Sequence, residues 1–317
     1  MHILIIGGTG HIGTYLVPRL VEGGHEVSCV CRGARAPYLP HSAWKSVRQV
    51  ALDRERLEAE GRFAAEIAAL KPDAVIDLIC FTAESARHLA EGLSGLLQHY
   101  LCCGTIWVHG HSVEVPTTEA APRAPFGEYG IRKAALEAYL LDQARRRGFP
   151  ATVLHPGHIV GRGWVPLNPA GNFNPAVFLA IARGEPLRLP NLGLETVHHV
   201  HADDVAQGFQ RALENRGAAV GESFHLVSPA ALTLRGYAER LYAWFGHRPA
   251  LSFLPWEKWE RTVPEEDARA TWDHIAHSPN CSIDKARCRL GYAPRYGSLQ
   301  AVTESLERLL SDGTLKV

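Results

Sequence analysis

The amino-acid sequence predicts an α/β fold built on a doubly wound, mainly parallel β-sheet. Over the first half of the chain, short apolar runs alternate with helical patterns, which is typical of βαβ units. A glycine-rich turn separates the first predicted strand from the first predicted helix, and beyond Gly161 the alternation gives way to segments rich in Pro, Asn and Gly. We therefore predict one domain over 1–161, with its sheet completed by 197–228. A smaller mixed C-terminal portion takes up 162–196 and 229–317.

The individual elements follow from local patterns. A continuous apolar run gives the first strand, and the helix after it ends at Gly23 and Gly24. Strands are predicted at His2–Ile6, Glu26–Cys31, 47–52, 74–79, 100–103 and 152–154. Helices are predicted at 13–22, 64–70, 84–97 and 129–147, with a polar, proline-rich loop at 115–126. In the second half, helices at 176–183 and 234–245 alternate with strands at 197–201 and 223–227, and the chain is expected to re-enter the sheet near 197–209.

Composition excludes several classes of protein. The chain has 317 residues, and its 33 Lys and Arg balance its 33 Asp and Glu, whereas a nucleic-acid-binding protein carries surplus positive charge. No apolar run reaches the roughly 18–20 residues that span a bilayer, and the N-terminal segment lacks the charged region of a signal peptide. Seven cysteines cannot all pair, so we expect reduced thiols and a cytoplasmic location. The expected partner is a small-molecule substrate, and neither a nucleic acid nor a membrane.

The turn at residues 7–13 has the spacing of a dinucleotide-binding site. Gly7, Gly10 and Gly13 follow a strand and open a helix. Bare backbone lets a pyrophosphate approach the helix N-terminus and accept from its free N–H groups. Because the turn stands between a strong strand and an amphipathic helix, we predict that it binds a dinucleotide. The expected contacts are Gly7, Thr9, Gly10, His11, Ile12 and Gly13.

The residues after the second strand indicate which dinucleotide binds. A carboxylate at this position would accept both hydroxyls of the adenosine ribose. Here the segment carries Arg32 and Arg35 instead. A guanidinium suits a 2′-phosphate through charge-assisted hydrogen bonds, while the alternative is a solvated surface arginine. We therefore predict NADP as the favoured cofactor, ahead of NAD.

A tyrosine and a lysine provide candidate proton-transfer groups. Tyr129 and Lys133 are four residues apart, so both project from one face of the predicted helix. An ammonium beside a phenol favours the phenolate and is expected to lower the pKa of Tyr129 toward the working pH. The tyrosine can then take a proton from a substrate hydroxyl, or return one to a carbonyl, as hydride moves to or from a nicotinamide.

Taken in order, these motifs resemble the extended or atypical short-chain dehydrogenase/reductase superfamily, in its NAD(P)-dependent epimerase/dehydratase branch. The resemblance covers nearly the whole chain and is carried by the glycine turn, Asp53, the run 76–80, Thr105, the segment 129–133, Pro156-Gly157, 201–206 and 283–292. It implies a Rossmann-type domain, a Thr105 hydroxyl that hydrogen-bonds the substrate oxygen, and a Lys133 that binds the nicotinamide ribose. Further implied cofactor contacts are Asp53, Arg54, Ile79, Cys80, Pro156 and His158. Relatives often form homodimers through the helices that carry the Tyr–Lys pair.

Departures from the family pattern reduce the number of reactions that the site is expected to catalyse. Dehydratases of the superfamily carry Asp-Glu after the catalytic threonine, whereas Ile106 and Trp107 follow Thr105 here, so elimination lacks its acid and base. Epimerases usually place an Asn and an Arg on the substrate diphosphate, and the matching residues here are His158 and Val197. Nearby cations able to substitute for them are Arg162, Arg183 and Arg188.

The histidine-rich segment near residue 200 is not predicted to bind metal. On a strand His198 faces away from His199 and His201, and no carboxylate at ligand spacing accompanies them. We predict no metal site. The candidate substrate contacts are Trp107, His109, His158, Trp164 and His199.

Three functions are compatible with these motifs. The favoured one is an NAD(P)-dependent oxidoreductase that acts on a secondary alcohol or ketone with a Thr105–Tyr129–Lys133 proton relay. The alternative is a sugar-nucleotide epimerase, which moves hydride away and back. A non-catalytic dinucleotide-binding or RNA-binding regulator is disfavoured, because it has no use for a proton relay and the chain has no net positive charge.

Overall fold

A seven-stranded parallel sheet forms the centre of the protein in a computed structural model, which describes residues 1–33 and 35–316. The strands are β1 (His2–Ile6), β2 (Glu26–Cys31), β3 (Arg48–Ala51), β4 (Ala74–Asp77), β5 (His99–Cys103), β6 (Ala151–Pro156), β7 (His158–Val160), β8 (Leu187–Pro190), β9 (Thr196–Val197), β10 (His199–His201), β11 (Ser223–Leu226), β12 (Leu232–Thr233) and β13 (Leu251–Leu254). The large sheet has the order β3-β2-β1-β4-β5-β6-β11. The strand order reverses between β1 and β4, where open α/β sheets have their ligand crevice.

Helices cover both faces of this sheet and build the C-terminal portion. They are α1 (His11–Glu22), α2 (Arg54–Ala59), α3 (Phe63–Ala69), α4 (Ala83–Gly92), α5 (Gly127–Arg147), α6 (Ala176–Ala182), α7 (Ala202–Glu214), α8 (Arg216–Ala219), α9 (Leu234–Trp244), α10 (Trp256–Trp259), α11 (Glu265–His277), α12 (Asp284–Leu290) and α13 (Ser298–Ser311). None of the helices in the described part of the chain combines the length and hydropathy that a bilayer-spanning helix requires.

The alternation of side chains along β1 explains the layered core. Ile3 and Ile5 pack on one face, with α1 and α7, while Leu4 and Ile6 pack on the other, with α3, α4 and α5. A third apolar cluster, around Tyr237 and the surrounding helices, lies in the C-terminal portion. This architecture confirms the predicted fold class, a parallel sheet with helices on both faces.

The strand that completes the large sheet differs from part of the prediction. The segment 199–201 pairs with β7 in a separate two-stranded sheet, and residues 202–214 form α7. The chain instead rejoins the large sheet at β11, which pairs in parallel with β6. Val200, Val205 and Phe209 are fully buried, but they pack from β10 and α7 against the large sheet and do not extend it.

Candidate active site

The glycine turn is closely packed against the sheet and open toward the crevice. Gly7 has a φ of +85°, and a Cβ there would lie 2.7 Å from Cγ2 of Ile79. A Cβ on Gly13 would lie 2.0 Å from the carbonyl oxygen of Gly8. At Gly10, the N-cap residue of α1, a Cβ would meet only the Gly7 carbonyl oxygen, at 3.4 Å. The turn therefore excludes side chains where it packs and leaves backbone exposed where an anion would approach.

A cavity of about 260 Å³ lies at the carboxyl ends of β1, β4, β5 and β6; we call it the cofactor cavity. Nine of the predicted site residues line it: Gly7, Gly10, His11, Ile12, Ile79, Thr105, Tyr129, Lys133 and Pro156. The fold thus brings the glycine turn and the three predicted catalytic residues to one cavity. The buried glycine backbone, the bare surface at Gly10 and the lysine ammonium fit a dinucleotide.

Lys133 is held as an ammonium group at the floor of this cavity. It is 1% exposed, and its Nζ donates to the carbonyl oxygens of Cys80 and Cys103, both at 2.7 Å. Burial would lower the pKa of Lys133, but its neighbours Cys103 and Tyr129 outweigh burial and raise it. An ammonium has three donors, so one remains for a ligand after the two backbone bonds.

Tyr129 lies above Lys133, with the lysine Nζ 5.9 Å from the centre of its ring. Burial raises the pKa of Tyr129, and the neighbouring Lys133 charge and Thr105 hydroxyl, which both lower it, do not compensate. The expectation of a net lowered pKa is therefore wrong, because desolvation of the phenolate exceeds the attraction of the lysine. The Thr105 Oγ1 accepts from the backbone N–H of Trp107 at 3.3 Å, which fixes the threonine at the end of β5.

The two arginines predicted to read the ribose lie beyond β2. Both Arg32 and Arg35 are exposed and stand outside the lining of the cofactor cavity. Burial, assisted by the positive charge of Arg35, lowers the pKa of His11 to about 4. The positive charge of Arg35 therefore affects the protonation of His11 at the start of α1.

Asp53 and Arg54 do not line the cofactor cavity and bond to other protein groups instead. The Asp53 Oδ1 accepts from the backbone N–H of Arg56 at 3.2 Å and caps α2. The Arg54 Nη1 donates to both carboxylate oxygens of Asp77, at 2.9 and 3.0 Å, and its Nε donates to Glu58 at 2.7 Å. Asp77, the last residue of β4, is fully buried, so its ion pair with Arg54 lies in the protein interior.

An aromatic group covers the glycine turn. The rings of His11 and Trp164 are stacked, with centroids 3.3 Å apart and planes at 1°. Tyr38 packs against His11 at 4.6 Å, and the Trp164 indole donates to the carbonyl oxygen of Ile159 at 3.2 Å. Trp164 was predicted as a substrate contact, and the structure places it over the start of α1.

A second cavity of about 150 Å³ opens beside Tyr129; we call it the substrate cavity. Its lining includes Thr105, Trp107 and His158. The Trp107 ring stacks on His277 at 4.1 Å. Burial, together with His274 and His199, lowers the pKa of His158 well below its usual value. The wall of this cavity is therefore aromatic and uncharged at neutral pH.

Two predicted substrate contacts lie behind this wall. His199 is fully buried, its Nε2 is 3.1 Å from the carbonyl oxygen of Leu167, and its ring lies 5.9 Å from His158. His109 is also buried, with its Nε2 2.9 Å from Nε2 of His225. Neither residue lines the two cavities.

Residues that the sequence analysis missed also shape the site. His274 and His277, from α11, pack against Trp107, and Phe81 places its ring 4.8 Å from the lysine Nζ. The two histidines are three residues apart and so share a helix face. That spacing was the available signal, but it does not indicate that α11 reaches the end of β5.

The two positions that match the family's diphosphate contacts, His158 and Val197, carry no lysine or arginine, and the three candidate arginines lie outside both cavity linings. Val197 is fully buried, and Arg162 forms an ion pair with Glu304 at 2.9 Å. Arg183 and Arg188 are exposed and stand outside both linings. Among the described residues that line the two cavities, Lys133 is the only lysine or arginine.

The family model for the NAD dependent epimerase/dehydratase family matches residues 3–226. The chain belongs to this family. It is 29% identical over 242 residues to 2'-dehydrokanamycin reductase from Streptomyces kanamyceticus, a match that covers 76% of this chain and 66% of that protein, slightly under two thirds. It is 27% identical over 323 residues to the chloroplast stem-loop binding protein of 41 kDa b from Arabidopsis thaliana, covering 99% and 80%.

The fold of this family is also found in solved structures. UDP-glucose 4-epimerase from Thermotoga maritima, solved with UDP-glucose, matches with a TM-score of 0.73 and 21% identity over the full length of both chains. The family assignment confirms the predicted resemblance and, with the relative named as a reductase, the predicted enzyme class, an NAD(P)-dependent oxidoreductase or epimerase.

Proposed function

We propose that this protein is an NADP(H)-dependent oxidoreductase that interconverts a ketone and a secondary alcohol on a substrate without a nucleoside diphosphate. The observation that carries the proposal is the shared lining of the cofactor cavity, where Thr105, Tyr129 and Lys133 meet the glycine turn. The uncharged substrate cavity and the buried Val197 support a substrate without phosphates. The relative named as a reductase is consistent with this type of reaction.

Each predicted catalytic residue of the cofactor cavity has a separate role in the proposed reaction. A bound nicotinamide supplies or accepts the hydride. Tyr129 donates its phenolic proton to the substrate oxygen in reduction and accepts it in oxidation. Lys133 stabilises the phenolate through its charge and offers its remaining N–H to a ribose hydroxyl. The Thr105 hydroxyl, beside Tyr129, orients the substrate oxygen.

The raised pKa of Tyr129 favours reduction at neutral pH. A phenol whose pKa lies above its usual value keeps its proton at pH 7 and can donate it to a ketone oxygen. Alcohol oxidation requires the phenolate, so its rate should increase as the pH rises toward the tyrosine pKa. Opposite pH trends of the two directions are therefore expected.

Replacing Tyr129 tests the proton relay. Tyr129→Phe should lower turnover of NADPH with a panel of cyclic and amino-sugar ketones by about 100-fold or more, because general acid catalysis contributes on that scale. NADPH affinity should change less than about twofold, because the phenol is not expected to bind the cofactor phosphates. Tyr139→Phe, on the same helix and outside both linings, is the matched control. Turnover that survives Tyr129→Phe would remove the catalytic assignment.

Replacing Arg32 tests the cofactor preference. Arg32→Ala should weaken NADPH binding by about 10-fold or more, since a hydrogen bond to a charged group contributes roughly 1.5–3 kcal/mol. NADH binding should remain nearly constant because NADH lacks the 2′-phosphate. Arg48→Ala, at an exposed arginine of β3, controls for loss of surface charge. Equal weakening of NADPH and NADH by Arg32→Ala would contradict the proposed NADP preference.

The epimerase alternative has a distinct signature. An epimerase keeps its dinucleotide through the catalytic cycle, so tightly retained NAD in the purified protein, together with conversion of a UDP-sugar without net redox change, would favour it. Release of an empty protein that binds free NADPH more tightly than NADH would favour the oxidoreductase.

Two further properties belong to the proposal. All seven cysteines are free thiols, and five of them are buried, which supports function in the reducing cytoplasm. A homodimer through the helices that carry the Tyr–Lys pair is expected from the family resemblance. Light scattering during gel filtration tests it, and a monomer at micromolar concentration would contradict it.

A further inference from the structure

A cluster of three buried histidines lies behind the substrate cavity. His109, His155 and His225 each offer a ring nitrogen, and these nitrogens all lie within 4.8 Å of one another. His109 ends the short helical turn after Thr105, His155 lies on β6, and His225 lies on β11. The three rings therefore join the catalytic segment to the edge of the large sheet.

The hydrogen bonds of His109 and His225 leave two lone pairs facing each other. The Nδ1 of His109 is 3.4 Å from the carbonyl oxygen of Pro122, and the Nδ1 of His225 is 3.2 Å from that of Ser282. A carbonyl oxygen only accepts, so these contacts assign the proton of each ring to Nδ1 and leave a lone pair on each Nε2. The two Nε2 atoms are 2.9 Å apart. With these tautomers the contact is favourable only when a proton or a metal ion lies between the two nitrogens.

His155 supplies an independent second observation. It is fully buried, and neither of its ring nitrogens has a hydrogen-bond partner among residues 1–33 and 35–316. Its Nε2 lies 3.4 Å from Glu137, but that carboxylate is already engaged by Arg123 at 2.7 Å. Gly104 makes room for the ring, because a Cβ there would lie 2.5 Å from its Cδ2. A proton shared by His109 and His225 would leave His155 unsatisfied, whereas a metal ion would engage all three rings.

The surrounding charges also favour a cation. The carboxylates of Glu119 and Glu137 are nearly buried beside the cluster, and Arg123 pairs with Glu137. One negative charge is therefore left over. Glu119, Arg123 and Glu137 also line a groove of about 810 Å³ on the outer side of the cluster.

We propose that His109, His155 and His225 bind one divalent transition-metal ion, with zinc as the best match. Imidazole nitrogens suit zinc, and the Nδ1 donors to backbone carbonyls are the outer partners that metal-bound histidines usually have. A tetrahedral zinc ion, with Zn–N bonds of about 2.1 Å, holds its ligand nitrogens about 3.4 Å apart. The Nε2 atoms of His109 and His225 are 2.9 Å apart and all three ring nitrogens lie within 4.8 Å of one another, so small side-chain rotations complete the site. The Glu137 Oε1 lies 3.4 Å from the Nε2 of His155, so this carboxylate or a water molecule would supply the fourth ligand.

The ion would be structural. It would tie the segment that follows Thr105 to β11, and it lies outside the linings of both the cofactor and substrate cavities. The proposal is therefore independent of the proposed function.

Metal analysis of protein purified without a polyhistidine tag tests the site. After chelator treatment, Zn²⁺ or Co²⁺ should bind one ion per chain and raise Tm by a few degrees, since binding to the folded state stabilises it. Bound Co²⁺ should show the visible bands of a tetrahedral nitrogen–oxygen site. His155→Ala should weaken binding about 100-fold or more, while His99→Gln, at a buried histidine outside the cluster, should bind like the wild type.

Either of two results would overturn the proposal. Failure of the wild-type protein to bind one Zn²⁺ or Co²⁺ at micromolar concentration would leave a shared proton as the explanation of the His109–His225 contact. Equal binding by His155→Ala would also exclude the site. If His155→Ala does not fold, His109→Gln and the wild-type cobalt spectrum decide the outcome.

Discussion

Mild acid should destabilise this protein because it buries neutral histidines. His99, His198 and His199 are fully buried, and burial lowers the pKa of His99 to about 3 and of His198 and His199 to about 4. In the unfolded chain each returns to about 6.5. The folded pKa values are depressed, so the stability they contribute is complete above pH 6.5 and is lost as the pH falls from 6.5 toward 4.

The size of the effect follows from proton linkage. At pH 5.5 an unfolded histidine is about 90% protonated, while these three stay neutral in the folded protein. The difference is roughly RT ln 11, between 1 and 2 kcal/mol per residue, or about 4 kcal/mol for the three. A typical protein is stable by only about 5–15 kcal/mol. Lowering the pH from 7.5 to 5.5 should therefore remove a substantial part of its free energy of unfolding.

Urea unfolding at pH 7.5 and 5.5, with a chelator present so that metal release does not contribute, measures this loss. His99→Gln removes one titrating group, so the loss between the two pH values should shrink by roughly 1 kcal/mol. The readout is the difference between the two pH values within each protein, so it does not depend on the overall stability of the variant. His111→Gln, at an exposed position, is the control. A wild-type loss below about 1 kcal/mol, or an unchanged loss in His99→Gln, would refute the reasoning.

Two further predictions concern the glycine turn and the buried ion pair between Arg54 and Asp77. Gly13→Ala should weaken NADPH binding by about 10-fold or more in a fluorescence titration, because the new Cβ would lie 2.0 Å from the Gly8 carbonyl oxygen and force the turn to move; unchanged binding would show that the turn does not hold the cofactor. Asp77→Ala should cost at least about 2 kcal/mol in urea unfolding, because the buried Arg54 guanidinium loses the carboxylate that accepts both Nη1 bonds and keeps only Glu58. Asp142→Ala, which breaks an exposed ion pair with Arg146, should cost at most about 1 kcal/mol, and equal costs would contradict the distinction.

Local patterns in the sequence were enough to predict that the glycine turn follows β1 and that Tyr129 and Lys133 lie on one helix. Glycine spacing between a strand and a helix predicted the turn, and the four-residue separation predicted that Tyr129 and Lys133 share one helix face. Both signals concern residues that are close in the chain, where backbone geometry fixes which side chains are neighbours. Parallel strand pairing then brought these groups to one edge of the sheet, as the alternating pattern predicted.

The properties of individual groups depended on contacts that the sequence does not display. The spacing of Tyr129 and Lys133 indicated attraction, yet desolvation at the crevice outweighs the lysine charge and sets the direction of the tyrosine pKa. Arg54 follows Asp53 in the chain and resembled a cofactor contact, but the fold pairs it with Asp77. In both examples the deciding quantity is the environment that distant segments create.

By itself, therefore, the sequence determined the fold class, the glycine turn and the Tyr–Lys helix, because these depend on short-range periodicity and backbone geometry. The tertiary structure alone decided the uncharged wall of the substrate cavity and the meeting of His109 with His225, which are 116 residues apart in the chain. The physical reason is that charge, protonation and ligand geometry depend on which groups are desolvated together. Strand order and helix packing, rather than the spacing of residues along the chain, decide that.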